Sequence, residues 1–463
     1  MRSQADVGGG FTPQQCCPLC VGCLCCAALV ALIVALAANP AAACFDTTEL
    51  NATTNASEAT MMLGVVVDYA GADVALTCAG EQAIVGVPSG DGLVVVGRLE
   101  LASNEYVERQ RLQPPVANET GMFGRAVAVD CRSGVLAVGE PMLNASSGAT
   151  HVYERTSDDI ADESATYELV ATLASPSGPG QVALFGSALS AACAERVVAV
   201  GAPSYQSASG RVYVYEPDTS ENASAAWRLV ETIERPSDNV TAAMAEFGSA
   251  LALSCDARRL VIGAPLDDGG GSVAVYRRDN ASVPFALDRV LRQSDQMDAH
   301  FGRSVALARR GRIVTVGAPL YDSLNASLVD AGRVYQYDLD AEPPSDDERL
   351  AAPLEGTVGG ARFGADVATS GDARSLVVGS ASPTEPGSAM RFDYVESSAM
   401  YVVSTAAFGE ARDPGLLGGA VASSFGGREF ASTSSANTTL DANSTRVGVV
   451  DCWQRQGSYC PDC

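Results

Sequence analysis

Phe247-Gly248-Ser249-Ala250-Leu251-Ala252-Leu253, then Leu260-Val261-Ile262-Gly263-Ala264-Pro265, then Ser272-Val273-Ala274-Val275-Tyr276, is the stretch that decides the fold. Two apolar runs are separated by the tight turn Cys255-Asp256-Ala257-Arg258, and the second ends at a proline, which donates no ladder hydrogen bond. After the acidic loop Asp267-Asp268-Gly269-Gly270-Gly271 a third run alternates, and Phe285–Leu291 reads as a fourth. The same order recurs along the chain. Gly124 pairs with Gly139, Gly186 with Gly201, Gly248 with Gly263, Gly302 with Gly317 and Gly364 with Gly379, each 15 residues apart, and a Phe precedes the first of each pair. Gly71 with Gly86 is a copy without the Phe, and an eroded copy starts at Leu417-Gly418.

Clear copies are 54 to 62 residues apart, and helical periodicity is absent. Four short strands per repeat predict an all-β, seven-bladed β-propeller of four-stranded antiparallel blades, preceded by an N-terminal hydrophobic signal or anchor helix. The last copy lacks a convincing fourth strand after Arg446–Val450. The spare strand Met62–Val67, ahead of the first copy, is expected to complete it and close the ring.

Composition sets the compartment. The 463-residue chain carries a net charge of −25, and its 30 basic residues are all Arg, a bias that genome composition explains. The charge argues against nucleic acid and anionic lipid as partners. Leu19 to Ala38 is an uncharged apolar run followed by Ala41-Ala42-Ala43, read as a cleaved signal or a retained anchor with a cytoplasmic N-terminus. Ten of 12 Asn lie in Asn-x-Ser/Thr: Asn51, Asn55, Asn118, Asn144, Asn222, Asn239, Asn280, Asn325, Asn437 and Asn443. This excess predicts glycan acceptors on a secreted or cell-surface chain. The expected organisation is signal or signal-anchor at 1–43, glycosylated linker at 44–60, propeller at 61–453 and a Cys-containing tail at 454–463.

Phe-Gly…Val-Gly-Ala-Pro…Gly-x-Val-Tyr-Val-Tyr resembles the FG-GAP repeat, found in the propeller of integrin α subunits and in other cell-surface proteins; the likeness covers roughly residues 63–453. It implies the fold and a role in adhesion. Integrin blades carry acidic calcium loops between the first two strands. Here those connections are short (Cys131–Gly134, Cys255–Arg258, Gly371–Arg374), so no metal site and no cofactor is expected. The residues after Phe-Gly, which in integrins ring the axis with aromatics, are here Ala72, Arg125, Ser187, Ser249, Arg303, Ala365 and Gly419. That argues against an integrin β-type partner. By the family geometry, Arg125 and Arg303 face the axial mouth, either clamping a carboxylate or sulfate or lying as rim charges paired with acidic neighbours.

Cys78, Cys131, Cys193 and Cys255 each follow the starting glycine by seven residues. They read mainly as buried small hydrophobes, with 78–131 and 193–255 bridges as the other reading. The only histidines, His151 and His300, read as strand surface and loop. A Ser-His-Asp arrangement has almost no material. The expected function is non-catalytic recognition or adhesion outside the cytosol, with an extracellular protein or glycan as ligand. The alternative is a carbohydrate hydrolase or lyase, whose mark would be an acidic pair with an Arg or Tyr on channel-facing first strands; those strands read as apolar.

Overall fold

The computed structural model describes most of the chain between residues 59 and 454. Residues 1–58 and 455–463, and several connections, the longest 62–72, 342–351, 409–418 and 434–449, lie outside the described residues. The N-terminal apolar run falls there, as do the linker except residues 59–60 and the tail except residue 454. Among the described residues, no helix is long and apolar enough to cross a membrane.

The chain forms a β-propeller of four-stranded antiparallel blades. Six blades are complete in one stretch of chain, one fewer than the seven expected from the glycine count. Their first strands are Asp73–Leu76, Val127–Val129, Ala188–Ala191, Ala250–Leu253, Ser304–Leu307 and Phe363–Thr369. The strands left over build a composite sheet from both ends of the described chain: Val421–Ser423, Glu429–Thr433, Val450–Gln454 and Ala59–Met61. The seventh copy is incomplete because it lacks the second glycine, whose place Thr433 takes, and has no fourth strand of its own among the described residues. The borrowed strand pairs Ala59 with Cys452 and Met61 with Val450. It is therefore Ala59–Met61 and not the expected Met62–Val67, which lies outside the described residues, and the third strand starts at Val450 instead of ending there. First strands touch their neighbours all the way round, with Val421–Ser423 seated between Phe363–Thr369 and Asp73–Leu76.

Each motif residue has a physical task. Phe-Gly forms a tight turn at the entry to each blade: the N–H of Arg125, Ser187, Ser249, Arg303 and Ala365 donates to the carbonyl of the residue three before it. The glycine, at φ +85 to +92, holds the third place of a type II turn, where a side chain is disfavoured. The phenylalanines Phe123, Phe185, Phe247, Phe301 and Phe363 are all buried. The second glycine of each pair has a different reason. A Cβ on Gly139 would strike the backbone oxygen of Gly186 in the next blade. The same holds for Gly201 against Gly248, Gly263 against Gly302 and Gly317 against Gly364. The glycine pairs are thus the joints between blades.

Side chains add further joints. Asp73 accepts from Val127 N–H (2.8 Å), Ser190 from Leu253 N–H (2.9 Å) and Asp366 from Val421 N–H (2.7 Å), each in the following sheet. The cysteine reading is corrected at Cys78, which is disulfide-bonded. Cys255 is buried and Cys193 half-buried. Asp267 of the acidic loop is buried against Arg235 and accepts from Ser272 Oγ (2.6 Å).

Candidate axial binding site

Connections of an antiparallel meander alternate between two faces. The Phe-Gly turns and the loops after Gly-Ala-Pro therefore share one face, here called the upper face. Residues directly after the Phe-Gly turn start the first strands, so they crown the central channel.

The structure brings Arg125 and Arg303 into one electrostatic neighbourhood, although they come from the second and fifth blades. Arg125 is half-buried and Arg303 exposed. Burial lowers the Arg125 guanidinium from its ordinary value; Asp73 opposes that and Arg303 adds to it. Neither arginine forms an ion pair among the described residues, so the acidic groups act on them at longer range.

Two carboxylates that the sequence pattern did not single out complete the mouth. Asp73 and Asp366 occupy the second position after the glycine in the first and sixth blades. Burial pushes the Asp73 carboxyl up to about 6, against hydrogen bonds from Val127 and Val74 and the charge of Arg125. Burial pushes Asp366 up to about 7; the Val421 N–H opposes, Asp73 adds, and Val367 and Arg303 oppose. Both side chains stay half-buried at the channel. The signal was present in the register: Asp stands where the sister blades carry Ala126, Ala188, Ala250 and Ser304.

Ser187 Oγ donates to Leu184 O (2.7 Å), whereas the buried Ser249 Oγ has no hydrogen-bond partner among the described residues. His300 is half-buried beside this group. Burial and Arg303 hold it below the usual histidine range, against Glu246, Asp298 and Asp330. His151, read as strand surface, is buried: its Nε2 lies 2.7 Å from Glu140 Oε2 and its Nδ1 3.1 Å from Thr172 Oγ1. It belongs to the blade interior and not to the mouth.

The raised carboxyls set a pH dependence. In the unfolded chain each titrates near 4, so the folded state binds more protons between about pH 4 and 7 and loses stability as pH rises through that window. We expect the double variant Asp73→Asn, Asp366→Asn to lose less melting temperature than the parent between about pH 5 and pH 8. Parallel curves would show that neither carboxyl is raised.

The sequence matches no family model and no curated protein. Among solved structures, the hydrazine synthase of Kuenenia stuttgartiensis is similar at 12% identity, with 82% of this chain and 99% of that chain covered and a TM-score of 0.50. The structure of U3-55K is similar at 13% identity, with 83% and 95% covered and a TM-score of 0.50. At such identities the likeness shows the fold alone.

Proposed function

We propose that this chain is a non-catalytic, extracellular or cell-surface recognition protein of the FG-GAP type, which binds a protein or glycan ligand on its upper face. One observation carries the reading. Six exposed large apolar side chains, Met142, Val182, Met244, Met297, Val329 and Val358, lie in upper-face connections, each more than 45% exposed, on the face that carries the charged mouth. A polar centre and apolar contacts on one face of a rigid support are the build of a docking surface. Two acceptor asparagines within the described residues, Asn144 and Asn280, are exposed, as glycosylation requires; the other eight lie outside them. A glycan and cell-surface array probed with the glycosylated ectodomain tests the reading. Binding that disappears with Met244→Asp and Val358→Asp is the expected result, and an array without signal overturns it.

In this reading the composite sheet serves as a seventh blade. Deleting residues 59–61 is expected to lower the melting temperature of the whole domain, because two sheet edges are opened; unchanged melting overturns the closure.

A second reading is favoured by one specific observation. Asp73 and Asp366 are an acidic pair on first strands, with Arg125 and Arg303 just ahead of two others, close to the mark expected of a carbohydrate hydrolase or lyase. Carboxyls raised towards neutrality suit acid–base work. Release of reducing ends from a polysaccharide panel, abolished by Asp73→Asn, would establish it in place of recognition.

A further inference from the structure

Resting on the axial mouth as the ligand site, we propose that it captures an oxyanion of the sulfate class together with protons on Asp73 and Asp366, so that binding is strong in mildly acidic solution and weak above neutrality.

Four charged groups from four blades stand at or just before the starts of the first strands and act on one another electrostatically: Asp73 from the first, Arg125 from the second, Arg303 from the fifth and Asp366 from the sixth. The guanidiniums have no ion-pair partner among the described residues and offer planar donor edges suited to oxyanions. The carboxylates are tied down differently. Asp73 accepts from Val74 (2.9 Å) and Val127 (2.8 Å), and Asp366 from Val421 (2.7 Å), so neither can swing away. They remain beside the arginines as fixed counter-charges. An arriving anion meets two attractive and two repulsive charges when both are ionised, within a chain of net charge −25. When both are protonated, only the attraction remains.

Every charged group facing the pair counts. Asp73 feels Arg125; Asp366 feels Asp73 and Arg303; Arg303 also faces His300, which Glu246, Asp298 and Asp330 surround. The raised carboxyls place the change between mild acid and neutrality. Sulfate suits the site because it keeps its charge where a ligand carboxylate starts to protonate.

The test is calorimetric titration of the glycosylated ectodomain with inorganic sulfate and with a sulfated oligosaccharide, at about pH 5 and about pH 8, in buffers of different ionisation enthalpy. We expect binding weaker by about tenfold or more at the higher pH, with net proton uptake near neutrality. Asp73→Asn with Asp366→Asn keeps the hydrogen-bond acceptors and should bind equally at both pH values without proton uptake. Arg125→Gln with Arg303→Gln should abolish binding at both. Equal affinity at both pH values with no proton uptake by the parent protein overturns the proposal, whatever the variants do. Linkage lost in His300→Gln but kept in the Asp double variant also overturns it. Absence of sulfate binding at either pH removes the axial anion site itself, whereas binding on the array would still uphold an upper-face recognition role. Inorganic sulfate competing fully with the oligosaccharide assigns the mouth to the sulfate group. Failure to compete places the oligosaccharide elsewhere and overturns the assignment.

Discussion

Gly201→Ala is expected to destabilise the propeller by about 3 kcal/mol or more, although it adds one methyl group near the end of a strand. The added Cβ would overlap the backbone oxygen of Gly248 in the neighbouring blade. A flexible side chain could turn aside; a backbone carbonyl held in a tight turn cannot. Gly248 is itself pinned, because its N–H donates to the Gly263 carbonyl of its own blade (3.0 Å) and its own φ is +90. Relief therefore requires the third and fourth blades to separate, which exposes the apolar cluster they share, including Phe247, Leu260 and Ile262. Gly178→Ala is the control. Gly178 also has a positive φ, +86, but nothing lies within 4 Å of the place its methyl group would take. It should lose only about 1 kcal/mol, the cost of the left-handed backbone. Chemical denaturation of both variants decides the matter. Equal losses would mean that the interblade contact does not govern the glycine.

That contrast also shows what the sequence made legible. The spacing of Gly124 and Gly139, and of the pairs after it, exposed the repeat and hence the blades. It could not say why the second glycine is needed, because its neighbour in space belongs to the next copy, about 47 residues further along. The turn glycine was a local matter and could be read locally. The same divide explains the mouth. Arg125 and Arg303 stood out because they replaced the expected residue type at a register position already under scrutiny. Asp73 and Asp366 sat one position on, where four sister blades have Ala or Ser. Their significance appears only when the first and last complete blades are brought round to either side of Val421–Ser423. Ring closure was legible as a need, since the last copy lacked a strand. The strand that meets the need was misplaced by a few residues, because both Ala59–Met61 and Met62–Val67 are short and apolar enough to pair.

The second large effect is expected at Glu140 and His151. Both side chains are only 2% exposed, and Glu140 Oε2 lies 2.7 Å from His151 Nε2. No donor among the described residues reaches Glu140 Oε1. Register shows what they replace. His151 pairs with Val138 as Tyr213 pairs with Val200 and Tyr335 with Val316. Its ring lies 5.5 Å from Phe123, as Tyr213 lies 5.5 Å from Phe185 and Tyr335 5.4 Å from Phe301. Glu140 stands where the sister blades carry Ala202 and Ala318. The second blade has therefore exchanged an Ala–Tyr pair for a buried polar one. His151→Tyr alone strands the carboxylate beside an added hydroxyl and should lose about 3–5 kcal/mol, the usual cost of breaking a buried pair. Glu140→Ala alone leaves the imidazole with Thr172 as its remaining partner and should lose less, about 2 kcal/mol. The double variant restores the arrangement of the sister blades. It should recover most of the loss, giving a favourable coupling of about 2 kcal/mol or more in the cycle. If the losses simply add, the pair is not a substitute for Ala–Tyr, and the second blade packs by a rule of its own.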